Sequence, residues 1–166
     1  MHATRPDIVF AVIRLSQYTS RPREVHWLGL KRILRYLKGT ASACLLLGDM
    51  ADDKDAGLVG YFDAAHADNA NRRSTCRYIF LLYGSLISWS SKVQRTIALS
   101  TTEAELMAGT EATREAIWIK GLTDVLFAMN LDNDKRGKTA EGILKCELRG
   151  DNQGSLALSV NSVYHQ

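Results

Sequence analysis

The chain has few cysteines and no long apolar run, and both absences narrow the class of protein. Its three cysteines, Cys44, Cys76 and Cys146, are odd in number and lack CxxC spacing. This argues against a disulfide scaffold or a structural zinc site and favours a reducing compartment. No apolar stretch approaches the ~20 residues that a membrane helix needs. We therefore expect no membrane partner.

What remains is the composition of a globular protein. The 166 residues are 46% hydrophobic and 23% charged, which is enough for one domain with a sizeable core. The net charge of +3 permits a nucleic-acid partner but does not by itself argue for one.

Apolar periodicity predicts a helix, three strands, a long helix, a further strand and a last helix. Their predicted bounds are 24–38, 58–65, 77–84, 86–92, 101–129, 143–149 and 152–160. Gly39 is predicted to end the first helix, and Gly121 to break the long one. The first two strands are apolar on both faces, as in a sheet between helices. The order predicts an α/β fold with a mixed sheet flanked by helices.

Two glutamates lie close together at the start of the long helix, in STTEAELMA. At about 100° per residue, Glu103 and Glu105 lie on nearly opposite faces. The residues that share a face with Glu105 are Ala108, Gly109, Ala112, Ala116 and Ile119. Small residues of this kind let a helix pack closely on a sheet, so a carboxylate at the end of the stripe needs a partner.

Both glutamates also fit a structural role. Ser100-x-x-Glu103 and Thr102-x-x-Glu105 each match a capping box, and acids are favoured in a first helical turn. The helix alone therefore favours capping over chemistry for Glu105.

Two aspartates change that balance. Asp63 follows LVGYF inside a predicted strand, and Asp151 comes directly after another strand. Taken alone, Asp63 is equally explained as a strand end that faces solvent, and Asp151 is better explained as a helix N-cap. Together with Glu105, however, they can converge at one end of the sheet. Clustered carboxylates need cations, and oxygen ligands favour Mg²⁺ or Mn²⁺, two of which could support phosphodiester cleavage.

The central block of the sequence also carries a family resemblance. The segment YFDAAHADNANRRSTCRYIFLLYGSLISWSSKVQRTIALSTTEAELMAGTEATREAIWIKGL resembles the ribonuclease H domain of copia-type (Pseudoviridae) retrotransposon Pol polyproteins. The earlier TRPDIVFAVIRLSQYTSRPREVHWLGLKRILRYLKGT is similar to the connection that follows their reverse transcriptase, and CELRGDNQGSLALSVNSVYHQ to their strand–helix element with a CDN motif. The resemblance implies a helical connection segment at 1–47 and a ribonuclease H-like domain at 57–166.

That family cleaves the RNA strand of RNA–DNA hybrids during reverse transcription, with two Mg²⁺ ions on a D-E-D-D carboxylate set. The resemblance implies that Asp63 bridges both metals and that Glu105 and Asp151 hold the metal on the leaving-group side. It also implies two partners, the RNA–DNA hybrid and the reverse transcriptase domain of the same polyprotein. The implied location is the cytoplasm, in the virus-like particle of the element, or the nucleus.

The sequence departs from the family pattern in several places. Ala65 and His66 stand where a second acid and an aromatic residue are usual, and Arg77 stands in STCRY where glycine is usual. The family continues beyond VYHQ with a basic stretch, the last catalytic aspartate and a terminal helix. We therefore expect a domain truncated at its C-terminus, within a segment cut at both ends. The alternative function is a catalytically inactive remnant that lacks the fourth acid and at most binds nucleic acid or a partner.

Four basic residues fall near predicted strand ends. They are Arg72, Arg73, Lys92 and Arg95. Such side chains can contact the phosphates of a nucleic acid or can be solvated loop charges, and the sequence favours the second explanation slightly.

Overall fold

The computed structural model describes residues 4–48, 57–130 and 144–160, the side chains of 127–130 excepted. A short 3-10 turn at Pro6–Ile8 leads into two helices, which are followed by three strands, a long helix, a fourth strand and a last helix. The elements are α1 (Val9–Ser16), α2 (Glu24–Gly39), β1 (Leu58–Ala65), β2 (Thr75–Leu82), β3 (Ser85–Val93), α3 (Thr101–Asn130), β4 (Cys146–Arg149) and α4 (Gln153–Val160).

The four strands form one mixed sheet in the order β3-β2-β1-β4. β1 pairs with β2, and β2 with β3, in antiparallel fashion, whereas β4 runs parallel to β1. Helix α3 packs across β1 and β2, and Leu58 and Phe80 are fully buried beneath it. The predicted fold class, a mixed α/β sheet flanked by helices and consistent with a ribonuclease H-like fold, is confirmed.

Small side chains allow α3 to lie close to the sheet. Ala108 and Ala112 are fully buried on the face of α3 that the periodicity predicted, and Ala104 is fully buried as well. A Cβ atom added at Gly109 would lie 3.2 Å from the ring of Phe62, which leaves little room for any larger residue. The close packing therefore brings the start of α3 against the end of β1.

Helix α1 covers part of the opposite face of the sheet. The ring of Phe10 lies under the Arg77 guanidinium, with the carbon of that group 4.6 Å from the ring centroid. Further along the helix, Arg14 Nη1 donates a hydrogen bond of 2.9 Å to Oδ1 of the buried Asn69. Helix α1 thus packs against the sheet and α2 packs against α1. The predicted domain boundary between 47 and 57 stays a prediction, because residues 49–56 lie outside the described range.

Most predicted elements are present with small changes in their bounds. β2 begins and ends two residues earlier than predicted, because Tyr83 and Gly84 form a tight turn with positive φ values of 47° and 79°. The predicted break of α3 at Gly121 is wrong. The helix continues through this glycine because Ile119 and Thr123, on either side of it, are both buried. Helix α2 ends at Gly39 as predicted. The last strand, predicted over 143–149, begins at Cys146, and residue 143 lies outside the described range.

None of the helices in the described ranges is long and apolar enough to cross a membrane.

Candidate metal centre

Three of the predicted site residues come together at one edge of the sheet. Asp63, Glu105 and Asp151 each offer a carboxylate oxygen, and these three atoms lie within 4.8 Å of one another. They come from a strand, a helix and a strand-to-helix junction, so the grouping depends on the tertiary fold. No sequence-local pattern would produce it.

The parallel pairing of β1 with β4 explains why the two aspartates meet. Tyr61 and Arg149 form the last pair of this ladder, and Asp63 and Asp151 each lie two residues further along their own chains. Because parallel strands end at the same edge of a sheet, equal steps beyond the last pair bring the two side chains side by side.

Two glycines set the distance between the elements around Asp63. The ring of Phe62, its neighbour in β1, lies against Gly109 of α3 and Gly150 after β4. A Cβ atom at Gly150 would approach this ring to 2.5 Å, closer than Cβ atoms are found in proteins. Any side chain at Gly150 would therefore force either the Phe62 ring, next to Asp63, or the backbone next to Asp151 to move.

Glu105 is the buried member of the cluster, with 6% of its surface exposed. Its Oε1 accepts a hydrogen bond of 3.1 Å from the backbone N–H of Ala64, next to Asp63. Its Oε2 is also buried and has no hydrogen-bond partner among the described residues. Burial raises the pKa of the Glu105 carboxyl; the Ala64 N–H opposes this, while the charges of Asp63 and Asp151 add to it.

Glu103 has a different task, which settles the two capping-box hypotheses. Its Oε2 accepts a hydrogen bond of 2.7 Å from the backbone N–H of Leu99, and its own N–H donates one of 3.1 Å to Ser100 Oγ. These two bonds cap the start of α3, although the Glu103 side chain accepts from the N–H of Leu99 and not, as in a strict capping box, from that of Ser100. Ser100 and Glu103 therefore form the cap, and Glu105 is left for another role.

The alternative explanation of Asp151 as an N-cap is wrong. The side chain that caps α4 is that of Asn152, whose Oδ1 accepts a hydrogen bond of 2.9 Å from Ser155 N–H. Asp151 is exposed and points its carboxylate toward the cluster.

Asp63 is only partly in solvent, with its side chain 52% exposed. It does not simply face water at a strand end, because it also contacts a cation. Arg77, its cross-strand neighbour in β2, donates a long hydrogen bond of 3.4 Å from Nη1 to Asp63 Oδ2. Sequence reasoning noted Arg77 only as a departure from the family pattern and did not place it at the site.

The three carboxylates fit a divalent metal ion. All the donor atoms are oxygens, as Mg²⁺ and Mn²⁺ prefer. The buried Oε2 of Glu105 needs a partner, and the mutual repulsion of the three acids would be relieved by a cation. Asp63, Glu105 and Asp151 are the residues that would hold such an ion.

The four predicted basic residues divide into two pairs. Arg72 and Arg73 are exposed in the turn between β1 and β2, where Arg72 adopts a left-handed φ of 59°. Lys92 and Arg95 instead line a cavity of about 310 Å³ at the end of β3, together with Arg114 of α3. The sequence carries no local signal for Arg114, because its place in the cavity depends on how α3 crosses the sheet.

That cavity adjoins the carboxylate cluster. Cys76, which also lines it, pairs across the sheet with Ala64, the residue that donates to Glu105. A basic cavity and an acidic cluster thus lie next to each other along the same end of the sheet.

The fold and this site define the class first: a mixed α/β domain, consistent with a ribonuclease H-like fold, with a carboxylate cluster at one end of the sheet. No family model and no solved structure matches the chain. Several curated proteins, however, are similar to it in sequence. The chain is 42% identical over 166 residues, 99% of its length, to the retrovirus-related Pol polyprotein from transposon TNT 1-94 of Nicotiana tabacum, of which it covers 11%. It is 39% identical over 163 residues, 98% of its length, to the retrovirus-related Pol polyprotein from transposon RE1 of Arabidopsis thaliana, of which it covers 10%.

A shorter relative is the Secreted RxLR effector protein 161 of Plasmopara viticola, which is 51% identical over 120 residues. That match covers 72% of this chain and 82% of the effector. The chain belongs to the same family as these proteins and corresponds to a segment of the transposon Pol polyproteins. It spans about a tenth of the length of the Pol polyproteins that it matches.

Proposed function

We propose that the chain is the ribonuclease H module of a retrotransposon Pol polyprotein, which hydrolyses the RNA strand of RNA–DNA hybrids with Mg²⁺. Two Mg²⁺ ions would take part in the reaction, and Mn²⁺ could replace Mg²⁺. The observation that carries the proposal is the cluster of Asp63, Glu105 and Asp151, in which a buried carboxylate oxygen of Glu105 has no bonding partner within the described ranges. The homology to Pol polyproteins supports a place for the chain in reverse transcription.

The residues of the cluster have separable tasks. Glu105 is fixed by burial and by its hydrogen bond from Ala64, so it offers a rigid ligand atom. Asp63 and Asp151 are more exposed, so their carboxylates can adjust to the position of a bound ion. When bound, divalent ions would activate a water molecule and neutralise negative charge on the phosphate that is cleaved.

The basic cavity beside the cluster would hold the nucleic acid. Lys92, Arg95 and Arg114 offer three cationic groups, partly balanced by Glu111, in a space of about 310 Å³. Such groups bind phosphate oxygens regardless of base sequence, as an enzyme that cleaves hybrids of many sequences requires. Arg72 and Arg73 are exposed on a separate turn and would contribute less.

The wider context of the proposal follows from the homology. The reverse transcriptase domain of the same polyprotein would be the physical neighbour of this segment. The module would then act in the cytoplasm, in the particle of the element, or in the nucleus.

The test is a cleavage assay with an RNA–DNA hybrid labelled on its RNA strand, in the presence of Mg²⁺. We expect RNA cleavage that needs the hybrid and stops when Asp63 is replaced in Asp63→Asn. Single-stranded RNA and duplex DNA of the same sequence serve as controls. Cleavage that persists at full rate in Asp63→Asn would contradict the catalytic assignment.

A chain that binds the hybrid but does not cleave it would support the alternative, an inactive ribonuclease H-like remnant. Arg77 favours this alternative in one respect, because its guanidinium already contacts Asp63. The same labelled hybrid, used in a filter-binding assay with Mg²⁺ replaced by Ca²⁺, would measure that binding.

A further inference from the structure

The guanidinium of Arg77 is held between an aromatic ring and a ligand of the candidate metal centre. On one side it stacks on Phe10 of α1, at 4.6 Å from the ring centroid. On the other side its Nη1 lies 3.4 Å from Asp63 Oδ2. The two residues are direct cross-strand neighbours, so the pairing is set by the register of β1 and β2.

Packing fixes the position of this guanidinium more than hydrogen bonding does. Arg77 Nε is buried and finds no acceptor among the residues that the structure describes. A buried donor of this kind costs free energy, which the ring of Phe10 and the charge of Asp63 must offset. The cation is therefore not a mobile surface charge that can swing freely into solvent.

The electrostatic consequence concerns the metal. Asp63, Glu105 and Asp151 gather negative charge that attracts a divalent ion, and Arg77 places a fixed positive charge beside one of these ligands. A cation bound by Asp63 would be repelled by Arg77 whether or not the hydrogen bond to Oδ2 persists. The side chains of Arg77 and Asp63 are 38% and 52% exposed, so solvent moderates the effect.

We propose that the Arg77 guanidinium competes with a divalent cation for the carboxylate of Asp63. It thereby lowers the affinity of the carboxylate cluster for the metal. This rests on the proposed function only in so far as the three carboxylates bind metal. Phe10, which lies in α1, is part of the same device because its ring keeps the guanidinium in place.

The test is direct titration of the full 166-residue chain with Mn²⁺ in the absence of nucleic acid. Electron paramagnetic resonance of the free aquo ion measures how much metal is bound. Arg77→Met removes the charge but keeps an apolar stem on Phe10, whereas Arg77→Lys keeps the charge. Lys120→Met is the matched control, since Lys120 is also paired with a carboxylate, that of Asp124, in a comparably exposed pair about four turns further along α3 than Glu105.

We expect Arg77→Met to lower the dissociation constant for Mn²⁺ about 5- to 10-fold, a modest electrostatic effect for a half-exposed pair. Arg77→Lys should stay within about twofold of the wild type because it keeps the charge beside Asp63. Lys120→Met should also stay within about twofold, because it removes a charge far along α3 from the cluster. If Arg77→Met proves unfolded by circular dichroism, Arg77→Gln is titrated in its place, with the same expectation.

Equal or weaker Mn²⁺ binding in the variant that lacks the guanidinium would overturn the proposal. An equal gain in Arg77→Lys would do the same, because charge would not be the cause. If Glu105→Gln abolishes binding while Arg77→Met leaves it unchanged, the metal centre stands and the competition fails. If neither the wild type nor Arg77→Met binds Mn²⁺, both the competition and the proposed metal centre fail.

Discussion

The two sides of the first turn of α3 carry the same chemical group in opposite environments. Glu103 lies on the outer side, where its carboxylate and its N–H complete a cap with Leu99 and Ser100. Glu105 lies on the inner side, buried on the alanine stripe and next to Asp63 and Asp151. The comparison shows that a carboxylate hydrogen-bonded to an N–H group at the start of its own helix has a structural role. A carboxylate buried among other carboxylates instead requires a cation.

The largest expected difference between the two sides is in metal affinity. Glu105→Gln should raise the dissociation constant for Mg²⁺ by about 100-fold or more, since it removes the one rigid ligand of the cluster. Glu103→Gln should change it less than about twofold, because Glu103 faces away from the cluster. Isothermal titration calorimetry on both variants measures this. Equal losses would show that the environments of the two glutamates do not matter.

The packing of the inner side can be tested by a larger side chain. Ala112→Leu should cost about 1–3 kcal/mol in free energy of unfolding, because Ala112 is fully buried against the sheet. Thr113→Leu, one residue along on the exposed side, should change it by less than about 0.5 kcal/mol. Urea denaturation followed by circular dichroism gives both values. A tolerated leucine at 112 would mean that α3 is not pressed onto the sheet.

The cap on the outer side should contribute less to the free energy of unfolding than the packing on the inner side does. Ser100→Ala should lower the free energy of unfolding by about 1 kcal/mol, since it removes the acceptor for the N–H of Glu103. Thr102→Ala, at the other position that matches a capping box, should have an effect below about 0.5 kcal/mol. The same urea curves decide between them, and a larger effect at Thr102 would reverse the assignment of the cap.

The smallest expected effect is on the pH dependence of stability. The folded-state pKa of Glu105 lies above its usual 4.5, so the folded chain holds this proton more tightly than the unfolded chain does. Its contribution to stability is therefore complete below pH 4.5 and is lost as pH rises through the raised pKa.

Glu105→Gln cannot undergo this loss, so its stability relative to the wild type should improve as pH rises from about 4 to 8. Unfolding curves with EDTA present, so that no metal is bound, measure the difference. If the free energies of unfolding of the two proteins changed with pH in the same way, the pKa of Glu105 would not be raised by folding.

Local pattern was enough to predict most of the secondary structure and two features of the site. Periodicity found the bounds of β1 and chose the face of α3 that carries Glu105. The position of Asp151 directly after a predicted strand also marked it as a candidate for the same end of the sheet, whereas the parallel pairing that brings it beside Asp63 is a tertiary feature. These features follow from spacing along the chain, which sequence displays directly.

Features that depend on contacts between distant segments could not be predicted. The stacking of Phe10 on Arg77 joins α1 to β2, and neither residue carries a local signal for it. The cavity that unites Lys92, Arg95 and Arg114 likewise depends on how α3 crosses the sheet. Gly121 was misjudged because its cost within a helix, about 1 kcal/mol relative to alanine, is outweighed by burial of the residues around it.

The most direct test of the central claim is a crystal structure of the chain grown with Mn²⁺, with data collected at an energy where manganese scatters anomalously. We predict an anomalous difference peak in contact with the carboxylates of Asp63, Glu105 and Asp151, and its loss in Glu105→Gln. A structure in which Mn²⁺ is absent from this cluster while Glu105 Oε2 is bonded to a protein donor would contradict the account.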